Sequence, residues 1–193
     1  YICNFIMSTL ETNLVQPATG TSLTLGASGD TITIPSGATI TNSGTASGFG
    51  DNTPAFHAYV SSAISVANAT FQTVLFQTEY FDTDSAYDPS TGRFTVPSGE
   101  AGKYLFTFNL RRASWASARF ITTFAKNGSD VSYFEDAVGS GSDRGSAGGS
   151  VIMDLSAGDY ITIKCYHTNG SAQNIEGGVG QSSQFFTGMK LIG

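Results

Sequence analysis

The side chains best equipped for acid–base or metal chemistry are few and widely separated. Only two histidines occur, His57 and His167, and neither sits in a catalytic-triad pattern or at a metal-ligand spacing. No phosphate-cradling glycine loop, nucleophile elbow or zinc-binding histidine pair is present. These absences point to a protein that is not an enzyme and needs no cofactor. Cys3 and Cys165 lie in unlike contexts, a terminal segment and an apolar β pattern, so no disulfide is expected and Cys165 reads as a small buried hydrophobe. Asp82 and Asp84 have the hard oxygen ligands that calcium takes; a solvated turn explains them as well, and no metal site is assigned. Asn68, Asn127 and Asn169 each begin an Asn-x-Ser/Thr triplet, a pattern that so Ser- and Thr-rich a composition produces readily.

Binding chemistry remains. Arg111, Arg112, Trp115, Asp143, Arg144, Asn169, Gln173, Asn174 and Glu176 combine guanidinium forks, a large aromatic ring, amides and carboxylates. Such a mixture suits stacking on, and hydrogen bonding to, a sugar or a surface protein. Plain solvation of Gly/Ser-rich loops is the competing explanation, and the choice depends on whether the fold brings these residues together.

The composition indicates which elements do the positioning. Of 193 residues only 12% are charged, 12% are aromatic and 23 are glycine, which favours short strands and turns over helices. A formal charge of −6 and a pI near 4.6 argue against nucleic acid as a partner, since that affinity rests on Lys and Arg neutralising phosphates. No apolar run approaches a membrane span, so no membrane insertion is expected. The opening Tyr1 to Ile6 lacks the basic flank and apolar length of a secretory signal. Met7-Ser8-Thr9-Leu10 reads as an initiator context, so residues 1–6 are expected to be a remnant.

Three segments follow from the patterning. Residues 51–193 carry strand-like runs broken by turn clusters at sandwich spacing: Ala55–Val60, Thr70–Tyr80, Gly92–Val96, Lys103–Leu110, Ala118–Ala125, Val131–Val138, Ser150–Leu155, Tyr160–His167 and Gln184–Ile192. Asp88-Pro89-Ser90-Thr91-Gly92, Asn127-Gly128 and Ser156-Ala157-Gly158-Asp159 are the turns. Parity places Tyr104, Phe106 and Phe108 on one face of a strand as core. It places Ile161, Ile163 and Cys165 opposite Tyr160, Thr162, Lys164 and Tyr166. In residues 21–50 apolar residues alternate with Thr between glycines, a period of two. Leu23, Leu25, Ile32, Ile34 and Ile40 are too few to form a core alone, so this stretch is expected to be a β-rich stalk of associated copies. A disordered linker is its rival. Residues 1–20, carrying Leu10, Leu14 and Val15, are expected to anchor the chain to another protein.

The most specific signal is Phe76, Asp82, Tyr87 and Phe94 followed by Gly102-Lys103-Tyr104-Leu105-Phe106-Thr107-Phe108, with Asp88, Thr91, Gly92 and Pro97 between. This resembles the signature of the complement-component-1q-like family, whose globular heads share a jelly roll with tumour necrosis factor. The stretch from Phe94 to Gly102 is longer by two residues than the family pattern, and the extra length falls in the turn Ser98-Gly99-Glu100-Ala101. Pro54-Ala55-Phe56, Leu155-Ser156-Ala157-Gly158-Asp159 and Phe186-Thr187-Gly188-Met189-Lys190-Leu191 extend the resemblance over residues 54–193. Leu23 to Ile32 and on to Phe49-Gly50 is similar to shaft-proximal segments of tailed-phage fibre and spike proteins.

The resemblance implies an all-β antiparallel jelly-roll sandwich, here with an N-terminal stalk. The unsupported apolar stalk and the aromatics on both faces of the late strands, Tyr160 and Tyr166 among them, point to a homotrimer, since closed cyclic assembly buries such patches. Strand alternation then puts Arg111–Ser117, Gly139–Gly149 and Thr168–Ser183 at the tip opposite the chain entry, and Asn127-Gly128 and Ser156–Asp159 at the base. The functional expectation is a bacteriophage virion component, a fibre, spike or head appendage, that meets other virion proteins through its N-terminal segment and a host glycan or protein through its tip. A secreted complement- or cytokine-type ligand is the alternative, and a glycan-processing enzyme the third class.

Overall fold

The computed structural model describes residues 15–17, 19–44, 52–113, 119–137, 144–178 and 183–191. The chain divides into two units, Tyr1–Ala46 and Ser47–Gly193. Residues 19–44 form no strand, and each is exposed.

In the second unit, thirteen strands are described: β1 (Ala55–Tyr59), β2 (Ile64–Val66), β3 (Gln72–Thr73), β4 (Thr78–Asp82), β5 (Tyr87–Asp88), β6 (Arg93–Thr95), β7 (Gly102–Arg112), β8 (Arg119–Lys126), β9 (Ser129–Ala137), β10 (Gly145–Leu155), β11 (Tyr160–His167), β12 (Gln173–Ile175) and β13 (Phe185–Lys190). They build two sheets. In the first, β4, β1, β13, β7 and β10 lie side by side, with β12 pairing β7 at Arg112 and β2 beyond it. The second runs β5-β6-β11-β8-β9, with β3 also on β11. Every pairing is antiparallel. The described residues therefore form an all-β, jelly-roll-like sandwich without helix.

Aromatic burial holds the sheets together. On β7, Tyr104, Phe106, Phe108 and Leu110 alternate inward and are at most 1% exposed, the face that parity marks as core. Ile161, Ile163 and Cys165 meet them from β11, all fully buried. Phe56 stacks on Tyr87 and Phe94, each with centroids 5.0 Å away, and meets Phe186 edge-on at 4.8 Å. Such pairs add about 0.5–1.5 kcal/mol each beyond area burial. The buried Tyr87 hydroxyl donates to the Phe76 carbonyl at 3.1 Å, so its polar atom is satisfied; burial raises its pKa.

Two glycines make this packing possible. Gly188 of β13 faces Phe106 and Phe56, and a Cβ there would lie 2.6 Å from Phe106 Cε1 and 2.9 Å from Phe56 Cε1. Gly149 of β10 leaves the space taken by the Phe134 ring of β9, which an added Cβ would overlap. That ring packs edge-on against Phe108 and Phe124, bridging the two edge strands.

The expected strand Thr70–Tyr80 is two strands, because the chain changes sheets within it: β3 pairs β11 of the second sheet and β4 pairs β1 of the first. Val74 and Phe76 stay buried through the crossing. The Asp88 turn forms as its residues demand. The Asp88 carboxylate accepts from the Ser90 N–H and hydroxyl and from the Thr91 hydroxyl at 2.7–2.9 Å, and Gly92 takes φ 67°. Asn127 and Gly128 both have positive φ, 51° and 85°, as a two-residue hairpin turn requires. The longer stretch before Gly102 turns at Pro97–Glu100, with Gly99 at φ 85°.

Candidate functional site

Two surfaces of the sandwich can do work, and strand register builds both. On the outer side of the first sheet, successive rows across four strands read Ala55–Met189–Leu105–Ile152, then His57–Thr187–Thr107–Ser150, then Tyr59–Phe185–Asn109–Gly148. No charged side chain lies in these rows. The His57 ring stacks on Phe185 at 5.5 Å and meets Phe81 and Tyr80 of β4 at 6.3 and 6.0 Å. Tyr80 is 63% exposed, Phe81 45% and Ile152 60%.

The second sheet's outer side is of another kind. There Arg93 lies over the Tyr160 ring at 3.8 Å, Lys164 pairs with Asp130 at 2.8 Å, and Arg119 grips Glu135 through two contacts. Ion pairs suit a face that stays in water, whereas uncharged rows of aromatic, apolar and small hydroxyl side chains suit contact with another protein surface. The aromatics on β11, Tyr160 and Tyr166, lie on this side with the exposed Phe71 and Tyr133, Phe71 meeting Tyr166 at 5.0 Å and Tyr133 at 6.2 Å; the rows without charge are on the opposite sheet.

The second surface is the end of the sandwich opposite Ala55. Arg112 of β7, Gly145 of β10 and Ile175 of β12 meet there by register, as do Arg119 and Ala137, and Phe120 and His167. The described flanks of the expected tip segments thus lie at one end. The turns at Asn127-Gly128 and Ser156–Asp159 meet at the other, where Asn127 Nδ2 donates to Asp159 at 2.7 Å and Lys126 pairs with it at 2.9 Å. These contacts, the Asn127 hydrogen bond foremost, hold the Asp159 pKa down to about 2.

At the tip Glu176 is the hub. Its carboxylate, 11% exposed, lies 3.1 Å from Arg111 Nε and 2.7 Å from Arg144 Nε. Gln184, fully buried, donates to the Glu176 carbonyl at 2.6 Å and accepts from the Arg111 N–H at 3.3 Å. Gln184 is a framing residue that sequence patterning gave no reason to single out. Asn174 is exposed on β12, and Gln173 donates to the Ser171 hydroxyl at 3.2 Å. The Asn169 N–H donates to His167 Nδ1 at 3.2 Å.

One expected tip residue is turned away. Arg112 is 3% exposed because it shares the parity of Tyr104 to Leu110 and points between the sheets, so it is removed from the solvent-facing set. Trp115 and Asp143 lie outside the described residues, as do Leu10 and Leu14; Val15 is 47% exposed.

The histidines stand apart. His57 is on the outer side of the first sheet, while His167 is fully buried on the second, its Nε2 3.0 Å from the Val66 carbonyl. Among the described residues no group of three or more His, Cys, Asp or Glu could hold a metal ion, and no helix is long and apolar enough to cross a membrane.

Comparison with known proteins agrees with this architecture. A family model, the C1q domain, matches residues 55–190. No curated protein matches the chain. Solved structures of similar fold include the globular domain of zebrafish complement 1qA protein, at 20% identity and TM-score 0.53 over 72% of this chain and 98% of that one. The Eiger TNF of S. frugiperda is similar at 13% identity and TM-score 0.56 over 74% and 94%, and murine APRIL at 14% and 0.51 over 71% and 98%. At these identities the likeness to the solved structures carries the fold alone.

Proposed function

The chain belongs to the C1q domain family, and from that premise we propose that it is a bacteriophage virion structural protein, a homotrimeric fibre, spike or head appendage. The observation that carries the self-association is the run of three uncharged rows in the middle of the first sheet's outer side, between Lys103 and Asp154 at one end and Arg111 at the other, with Tyr80, Phe81 and Ile152 exposed. Closed cyclic assembly buries one such patch per copy. Family membership supports it, since C1q domains form homotrimers. The charge-poor Gly/Ser/Thr segment at residues 21–50 supports the virion context, as a stalk; residues 1–20, with Leu10, Leu14 and Val15, are the anchor to another virion protein. The tip around Glu176, Arg111, Arg144 and Asn174 is the face offered to a host glycan or protein.

A secreted complement- or cytokine-type ligand is the second reading, and the similar animal structures fit it at least as well. The two part on one measurement. Deleting residues 7–16 should leave the head folded and abolish incorporation into particles; normal incorporation refutes the anchor, and no particle containing the chain refutes the virion role. For the oligomer, Tyr80→Glu with Phe81→Glu should convert a trimer to a folded monomer in native mass measurement. A wild-type monomer ends the proposal. For the tip, Arg144→Ala and Trp115→Ala should reduce adsorption to host cells while melting is unchanged. Unaltered adsorption by both makes the tip a cap only.

A further inference from the structure

We propose that residues 20–44 are a repeating β-turn unit whose apolar positions are completed only by the same positions of two further copies, in unshifted register. This rests on the trimeric reading above and extends it to named shaft residues. The repeat is set by glycine. Gly20, Gly29, Gly37 and Gly44 each follow a Thr or Ser, at intervals of nine, eight and seven residues. The first three take positive φ, of 79°, 94° and 84°. Two of the turns are alike in detail: the Asp30 N–H donates to the Ala27 carbonyl and the Ala38 N–H to that of Pro35, both at 3.0 Å, with glycine third of the four residues. That position needs φ above zero in a type II turn. At Gly44 the Asn42 side chain closes the turn instead, bonding both the N–H and the carbonyl of Gly44.

Counted from each glycine, the third residue is Leu23, Ile32 or Ile40, the fourth is Thr24, Thr33 or Thr41, and the fifth is Leu25, Ile34 or Asn42. In extended backbone the third and fifth share a face and the threonine takes the other. The five apolar side chains are 46–63% exposed within one copy, so the repeats do not stack on one another in the chain. Burying such side chains is favourable, and one copy forgoes most of that gain. Residues 20–44 carry one ionisable side chain, Asp30, and its carboxylate accepts from the Ala27 N–H at 2.7 Å. Charge repulsion between three copies is therefore confined to Asp30.

The unequal intervals fix the register. Sliding one copy by nine residues sets Leu23 beside Ile32, but then Ile32 falls beside Thr41 rather than Ile40. A one-residue error turns a strand's apolar face outward. Only unshifted copies match all three apolar pairs at once.

The test uses the full chain with Cys3→Ser, since Cys165 is buried. Ile34→Cys should give disulfide-linked dimers on oxidation, and Thr33→Cys, facing outward, should not. Ile32→Asn with Ile34→Asn should leave native mass trimeric while proteolytic cleavage between residues 20 and 44 rises roughly tenfold or more, as opening of the segment becomes easier. Equal crosslinking of the two cysteine variants, or a trimer whose wild-type segment is cleaved as fast as the double variant, overturns the shaft and leaves the trimeric head standing. A monomeric wild type overturns both.

Discussion

Gly188→Ala adds one methyl group to the most crowded point between the sheets. Its Cβ would sit 2.6 Å from Phe106 Cε1 and 2.9 Å from Phe56 Cε1, where carbon atoms prefer about 3.5–4.0 Å. A ring must therefore retreat by roughly 1 Å. Phe106 and Phe56 are both fully buried, and Phe56 is held between Tyr87, Phe94 and Phe186, so neither moves without displacing others. Overpacking of this kind costs about 1–3 kcal/mol. For a domain of this size a kcal/mol shifts the melting temperature by roughly 3 °C, so a drop of about 3–9 °C is expected by circular dichroism at fixed protein concentration. Phe106→Leu removes the clashing ring edge. The double variant should be more stable than the summed single effects by at least about 0.5 kcal/mol. Gly188→Ala melting within 1 °C of wild type, or strict additivity, refutes the packing argument.

The Asp159 carboxyl, lowered to about 2 in the fold, contributes stability that is complete above its ordinary value of 3.8 and is lost as pH falls through the folded value. Asp159→Asn should melt below wild type at neutral pH, with the gap narrowing between about pH 4 and 2; a constant gap contradicts the assignment. Burial pushes the Cys165 thiol up to about 12. In a Cys3→Ser background a thiol reagent at pH 8 should label the unfolded chain promptly and the native chain hardly at all, and prompt native labelling would mean the interior opens.

The core was legible because it is periodic. Tyr104, Phe106 and Phe108, or Ile161, Ile163 and Cys165, announce their shared face through the alternation that strand geometry imposes. The turns at Asp88 and Asn127 were legible because few residues can make them. β2, β5 and β12 were not, since two or three residues carry no period. The sheet crossing between Thr73 and Thr78 escaped because Val74 and Phe76 keep the alternation while the partners change. Arg112 was misread because residue type suggests solvent while parity dictates the interior. The hub role of Glu176 depends on Arg111 and Arg144, distant in sequence and joined only by the pairing of β7 with β10 and β12.

The meeting of Phe134 and Gly149 has a meaning for descent as well as for packing. A ring on β9 occupies the place that a side chain on β10 would need, so the two positions share one fixed volume. Neither is free to drift alone. In lineages diverging from this chain, a side chain gained at 149 should come with a smaller residue at 134. A large residue at both should be rare, and a small residue at both should leave a void that a third position fills. The pair is thus a volume constraint linking positions fifteen residues apart, readable as covariation in relatives whose overall sequences have otherwise diverged.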